Sequence, residues 1–188
     1  MKVFIYCTKA KPLLFYESET FIEYGVGING EQYEQGINFY DIYNGKIVAS
    51  FELNKIDTLK KIKYANEYYK PDRNYPETPY TIILDLVGMS NTELFEYGKG
   101  KDLYAWHIEN LEIIEPLELG EFAKICKSTK QINKYYIHRA PKNFQYAYYK
   151  GEKVIILSVK AEWVEKILNG EKTIEVRKTA PKEMLKNE

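Results

Sequence analysis

The sequence predicts an α+β protein, mostly strands with a few short helices. Three observations carry that expectation. Strand-length apolar or alternating runs recur at 2–8, 46–56, 103–114 and 144–149. Helix signals are short and well bounded. The stretch Val154–Lys178, VIILSVKAEWVEKILNGEKTIEVRK, spells a strand, a helix, a glycine stop and a second strand in succession.

Taken in order, Lys2–Thr8 sets Val3, Ile5 and Cys7 on one face and Phe4, Tyr6 and Thr8 on the other, the period-two pattern of a strand. Cys7 reads as a small buried thiol rather than a nucleophile, because no histidine stands near it in the chain. Lys11-Pro12 ends the strand, and residues 16–44 read as a long polar loop or insertion. Asn44-Gly45 is a tight-turn signal leading into Lys46–Ile56, where Ile47, Ala49, Phe51 and Leu53 share one face. Residues 57–79 are polar and contain Pro71, Pro76 and Pro79, which oppose regular structure in their second half. Tyr80–Leu86 is a short apolar run whose periodicity does not separate strand from helix.

Ser90-Asn-Thr-Glu93 is a capping-box spelling, and Gly98-Lys-Gly100 closes the helix it opens. Leu103–Ile114 reads as one or two strands around Asn110, with His107 as a hydrogen-bonded structural group. Pro116–Phe122 is a turn leading into a short helix near 119–126, and Phe144–Tyr149 is a strand. At Val154–Lys178, Ser158 is the expected N-cap. Trp163, Val164, Ile167 and Leu168 fall on one helical face, and Asn169-Gly170 is the stop. Ile174 and Val176 then alternate with Thr173, Glu175 and Arg177, as in a half-buried strand with a polar face.

Composition narrows the class. Forty-five per cent hydrophobic residues support a real core in a chain of 188 residues, read here as one domain. Nothing approaches the ~20 apolar residues of a membrane helix. Two cysteines make no disulfide framework, and no secretory leader is expected, so the reading is a soluble, cytoplasmic protein without a membrane partner. The scattered histidines and cysteines give no metal-ligand spacing, and neither a metal nor another cofactor is expected. Formal net charge is zero, but its distribution is uneven. Residues 1–123 carry 12 basic and 20 acidic side chains, whereas 124–150 carry seven basic and no acidic ones. That acid-free segment interleaves Lys134, Arg139 and Lys142 with Tyr135, Tyr136, Phe144, Tyr146 and Tyr148, a combination suited to phosphates and exposed bases.

The runs Leu157–Trp163 and Ile167–Lys178, with NGEKTIEVRK at their end, resemble the opening strand–helix–strand of ASCH domains, small barrels of the PUA-like superfamily. The segments 2–9, 44–53, 104–119 and 140–148 also resemble ASCH sequence. In the usual domain the GEKTIEVRK strand comes first, so the resemblance implies a circularly permuted barrel, with 154–178 closing against 2–8. Exchange of 154–178 between two chains, or a longer tandem protein, are its rivals, so monomer and swapped dimer both stay open. The implied fold is a small mixed or antiparallel β-barrel with short helices and a long N-terminal insertion. The implied ligand is RNA or a nucleoside, with Lys160, Lys172, Arg177, Tyr6, Thr8 and Gln145 lining a cleft.

Some ASCH proteins resemble amidohydrolases that use a lysine base in a G-x-K-T turn and a threonine nucleophile. Lys172 matches the lysine, but Glu175 stands where the threonine belongs, and a carboxylate there removes that acyl transfer. Glu175 would act as a base only if burial raised its pKa, which Arg177 opposes. The resemblance therefore implies a nucleic-acid-binding module more than a hydrolase of a modified nucleoside or of RNA. A third reading, from the acidic 1–123 portion, is a phage-type protein docking on a host factor.

Overall fold

The computed structural model describes residues 1–9, 43–62, 67–69, 84–125 and 132–185. Most of the expected insertion at 16–44, the proline-bearing 70–79, Cys126 and the side chain of Lys134 therefore lie outside the described residues. The protein is α+β: among the described residues, two sheets of seven and four strands with short helices. Neither sheet closes into a barrel among the described residues. No described helix is long and apolar enough to cross a membrane. The chain groups into two compact units, Met1–Phe51 with Leu111–Asn169, and Glu52–Asn110 with Gly170–Glu188. The division falls after the Asn169 helix cap, inside the 154–178 stretch.

The first unit is built on β1 (Lys2–Thr8), β2 (Ile47–Glu52), β6 (Glu109–Leu117), β7 (Ala123–Ile125), β8 (Ile132–Tyr136), β9 (Phe144–Tyr149) and β10 (Glu152–Lys160). Their order across the sheet is β6-β2-β1-β10-β9-β7-β8. At its centre β1 and β10 run parallel, with Val3 opposite Ile155 and Thr8 opposite Lys160. A parallel pair joined through most of the chain is covered on both faces. Accordingly Val3–Cys7 and Val154–Val159 are all buried, on both faces of their strands. The same holds for Ile47–Phe51 of β2.

On one face Phe4, Tyr6, Ile156, Ala147, Phe122 and Ile137 form a core. Its rings meet edge-on, Phe4 to Phe122 at 5.0 Å, and stacked, Phe122 to Tyr149 at 4.7 Å. A helix, Ala161–Leu168, packs beside β1 and β10 and buries Ala161, Val164, Ile167 and Leu168. Trp163, expected on that face, is only half-buried. Ser158 is not the N-cap. It sits inside β10, where its hydroxyl donates to the Pro141 carbonyl at 2.6 Å and its N–H to the Asn143 carbonyl at 2.9 Å. The cap position falls two residues later, at Lys160, because pairing with β1 holds the chain extended to that point. The helix expected near 119–126 is one 3-10 turn, Leu119–Glu121, followed directly by β7.

The second unit holds β3 (Ile56–Lys61), β4 (Tyr68–Tyr69), β5 (Leu103–His107) and β11 (Ile174–Arg177), in the antiparallel order β11-β5-β3-β4. Leu59 opposite Leu103 and Val176 opposite Ala105 place these side chains in one core with Tyr68, Val87, Leu94 and Ile174. Among the described residues two helices belong here, α1 (Leu84–Val87) and α2 (Asn91–Gly98); the Ala161–Leu168 helix of the first unit is α3. Helix α2 opens with the complete Ser90/Glu93 capping box and closes through Lys99 at φ 51. The strand run 103–114 breaks into β5 and β6 at Ile108, just before Asn110 at φ 48.

Candidate functional site

Because β1 and β10 are parallel, their carboxyl ends lie together. Register places Tyr6 opposite Ser158 and Thr8 opposite Lys160. The two Ser158 hydrogen bonds tie the 138–143 loop to this end, which carries His138, Arg139 and Lys142 exposed. Strand β9 starts there, with Phe144 opposite Leu157 and Gln145 opposite Ile156. Six of the expected residues (Tyr6, Thr8, Arg139, Lys142, Gln145 and Lys160) thus gather at one end of the first unit.

Their environments differ. Tyr6 is 7% exposed, and burial, then the neighbouring Cys7 charge, pushes its phenol pKa up. Lys160 is open to solvent at 75% and meets Glu162 at 3.2 Å, a surface pair worth little. Gln145 is half-buried, and its Nε2 is buried with no hydrogen-bond partner among the described residues. Cys7 is fully buried, and its thiol is pushed up to about 11 by that burial.

From this end β9 carries Phe144, Tyr146 and Tyr148 along one face, all half-buried. Phe144 and Tyr146 are 6.2 Å apart between ring centroids, with ring planes at 87°. The strand returns through Lys150 (φ 50) and Gly151 (φ 86), the two positive φ values a type I′ hairpin needs. That turn brings Lys153 back to 4.5 Å from the Tyr146 ring, while Lys150 lies 5.1 Å from the Tyr149 ring. Lys153 was not among the expected residues. The Lys-Gly turn between two strand runs was the signal that could have found it.

Lys172, Glu175 and Arg177 belong to the second unit. Lys172 is 2% exposed and gives its ammonium to three acceptors: the Val87 carbonyl at 2.6 Å, the Ile174 carbonyl at 2.8 Å and Glu175 Oε2 at 3.1 Å. Arg177 meets the other Glu175 oxygen at 2.9 Å. The expected polar face of this strand is therefore a buried ion network, and Ile174, Glu175 and Val176 are all buried. Tyr97, with its phenol pKa raised chiefly by burial, feels both Arg177 and Glu175.

His107 fulfils its structural expectation, with Nε2 2.8 Å from the buried Asp57 carboxylate, which Lys55 approaches at 3.6 Å. Compared with known proteins, the chain matches no family model, no curated protein and no solved structure.

Proposed function

We propose that the protein binds nucleic acid, RNA above all, along β9 of the first unit. The observation that carries this reading is the strip formed by Phe144, Tyr146 and Tyr148, flanked by Arg139, Lys142 and Lys160 at one end and Lys150 at the other, with Lys153 over the middle ring. Cations at both ends would neutralise phosphates and release counterions. Aromatic rings between them would take bases at roughly 1–3 kcal/mol each. The resemblance of NGEKTIEVRK to ASCH domains supports the same reading. A permuted PUA-like barrel belongs to this proposal, favoured by the parallel pairing of β10 with β1.

Hydrolysis through Lys172 and Glu175 finds less support, since both are buried and bound to each other. An electrophoretic or fluorescence titration with RNA tests the proposal. Three to five phosphate contacts to a single strand give a slope of log K against log salt of about −2 to −3.5. Absence of binding at low salt would sink it.

A further inference from the structure

We infer that the nucleic acid taken by the β9 strip is single-stranded, with a minimal footprint of about three successive bases. The inference rests on the nucleic-acid reading above and comes from the spacing and tilt of the rings.

In a duplex, successive bases of one strand lie parallel and about 3.4 Å apart. Ring centroids of Phe144 and Tyr146 lie 6.2 Å apart, nearly twice that rise, and their planes cross at 87°. No pair of neighbouring bases in an intact helix matches two rings that meet edge to face at that separation and angle. A strand whose bases are unstacked does, because each base turns independently about its own sugar. The next ring, Tyr148, follows two residues on at the strand period, roughly 6.6–6.8 Å further along. Phe144, Tyr146 and Tyr148 therefore repeat at the pitch of an extended chain rather than of a stack.

The cations fit the same register. Lys153 stands over Tyr146 in the middle of the row. Lys142 precedes Phe144, and Lys150 follows Tyr149 at the hairpin. Phosphates between splayed bases would meet cations beside the rings and at both ends. Among these side chains only Gln145 carries an amide, and register puts it on the opposite strand face. The row itself thus recognises ring faces, which every base has, so little dependence on base identity is expected.

The test is a fluorescence-anisotropy series on the whole protein at low salt. Probes are labelled oligouridylates and oligoadenylates of two to eight nucleotides, and a 12-base-pair RNA duplex of mixed sequence. The inference predicts affinity rising steeply up to three or four nucleotides and slowly thereafter. The duplex should bind at least about tenfold more weakly than a single strand of equal length. Tyr146→Leu keeps an apolar side chain but removes the ring, and should weaken the tetramer about 5- to 100-fold, with Tyr146→Phe close to the parent. A melting curve equal to the parent's shows that the leucine variant is folded, and the length series on the unaltered protein needs no variant. Duplex binding as tight as single-strand binding would overturn this inference and leave the nucleic-acid reading standing. Failure of every probe to bind would overturn both.

Discussion

Lys172 Nζ lies 3.1 Å from Glu175 Oε2, with the two side chains only 2% and 8% exposed. The Val87 and Ile174 carbonyls also accept from the ammonium, and Arg177 takes the second carboxylate oxygen. Such a network holds β11 against the end of α1 by pairing the charges it buries. Removing Lys172 leaves the Val87 and Ile174 carbonyls and one Glu175 oxygen without this donor, while Arg177 still pairs the carboxylate, and each buried group so left costs about 1–3 kcal/mol. Lys172→Met is thus expected to destabilise the protein by about 3 kcal/mol or more in urea unfolding. A loss under about 1 kcal/mol, the worth of a surface pair, would show that the network bears little of the fold.

Gly98 ends α2 against Tyr68. A Cβ at that position would lie 2.6 Å from Tyr68 Cζ and closer still to the phenol oxygen, which holds the Lys101 carbonyl at 2.9 Å. Alanine in place of glycine ordinarily stabilises a helix by about 1 kcal/mol. Here overpacking should reverse the sign, with Gly98→Ala costing about 1–3 kcal/mol. Adding Tyr68→Leu should recover part of that cost. A stabilised Gly98→Ala single variant would contradict the contact.

The Ser90 cap offers a milder perturbation. Its hydroxyl accepts from the Glu93 N–H at 3.3 Å, and the Glu93 carboxylate accepts the Ser90 N–H at 2.8 Å. Ser90→Ala is expected to lower stability by about 1 kcal/mol. Glu93→Gln should lose less, because an amide oxygen still accepts the Ser90 N–H. Thermal melts of the two variants beside the parent measure both, and an unchanged melt for Ser90→Ala would refute the cap's contribution.

Burial raises the Cys7 thiol from 9.0 to about 11. The folded state therefore favours the neutral thiol. Its contribution is complete below about pH 9, falls as the unfolded chain begins to ionise, and is exhausted once pH passes about 11. At about 1.4 kcal/mol per pKa unit the full swing is about 2–3 kcal/mol. Urea midpoints between pH 8 and pH 11 should fall less steeply in Cys7→Ala, though Tyr6, shifted in the same direction, keeps part of the slope. Identical pH slopes in parent and variant would contradict the burial argument.

Local spelling made some of this structure legible in the sequence. The Ser90/Glu93 box, the Asn169-Gly170 stop and the β9 strand are set by neighbours a few residues away. What escaped was fixed by distant pairing. Nothing in KVFIYCT says that VIILSV, about 150 residues on, will lie parallel to it and bury both its faces. That pairing is what holds Ser158 extended and moves the helix cap to Lys160. Lys172 likewise looked like a cleft cation, because its carbonyl partner at Val87 stands 85 residues away. At the candidate site, the interleaved basic and aromatic residues of 134–148 were visible from composition. Lys153 became part of it only through the hairpin at Lys150-Gly151.

The most direct test of the β9 strip is backbone amide chemical-shift mapping with a single-stranded RNA hexamer at low salt. The predicted result is saturable shifts confined to the first unit, at residues 138–150 and at Lys153 and Lys160. Shifts that saturate instead around Lys172–Arg177, with β9 unmoved, would contradict the central claim.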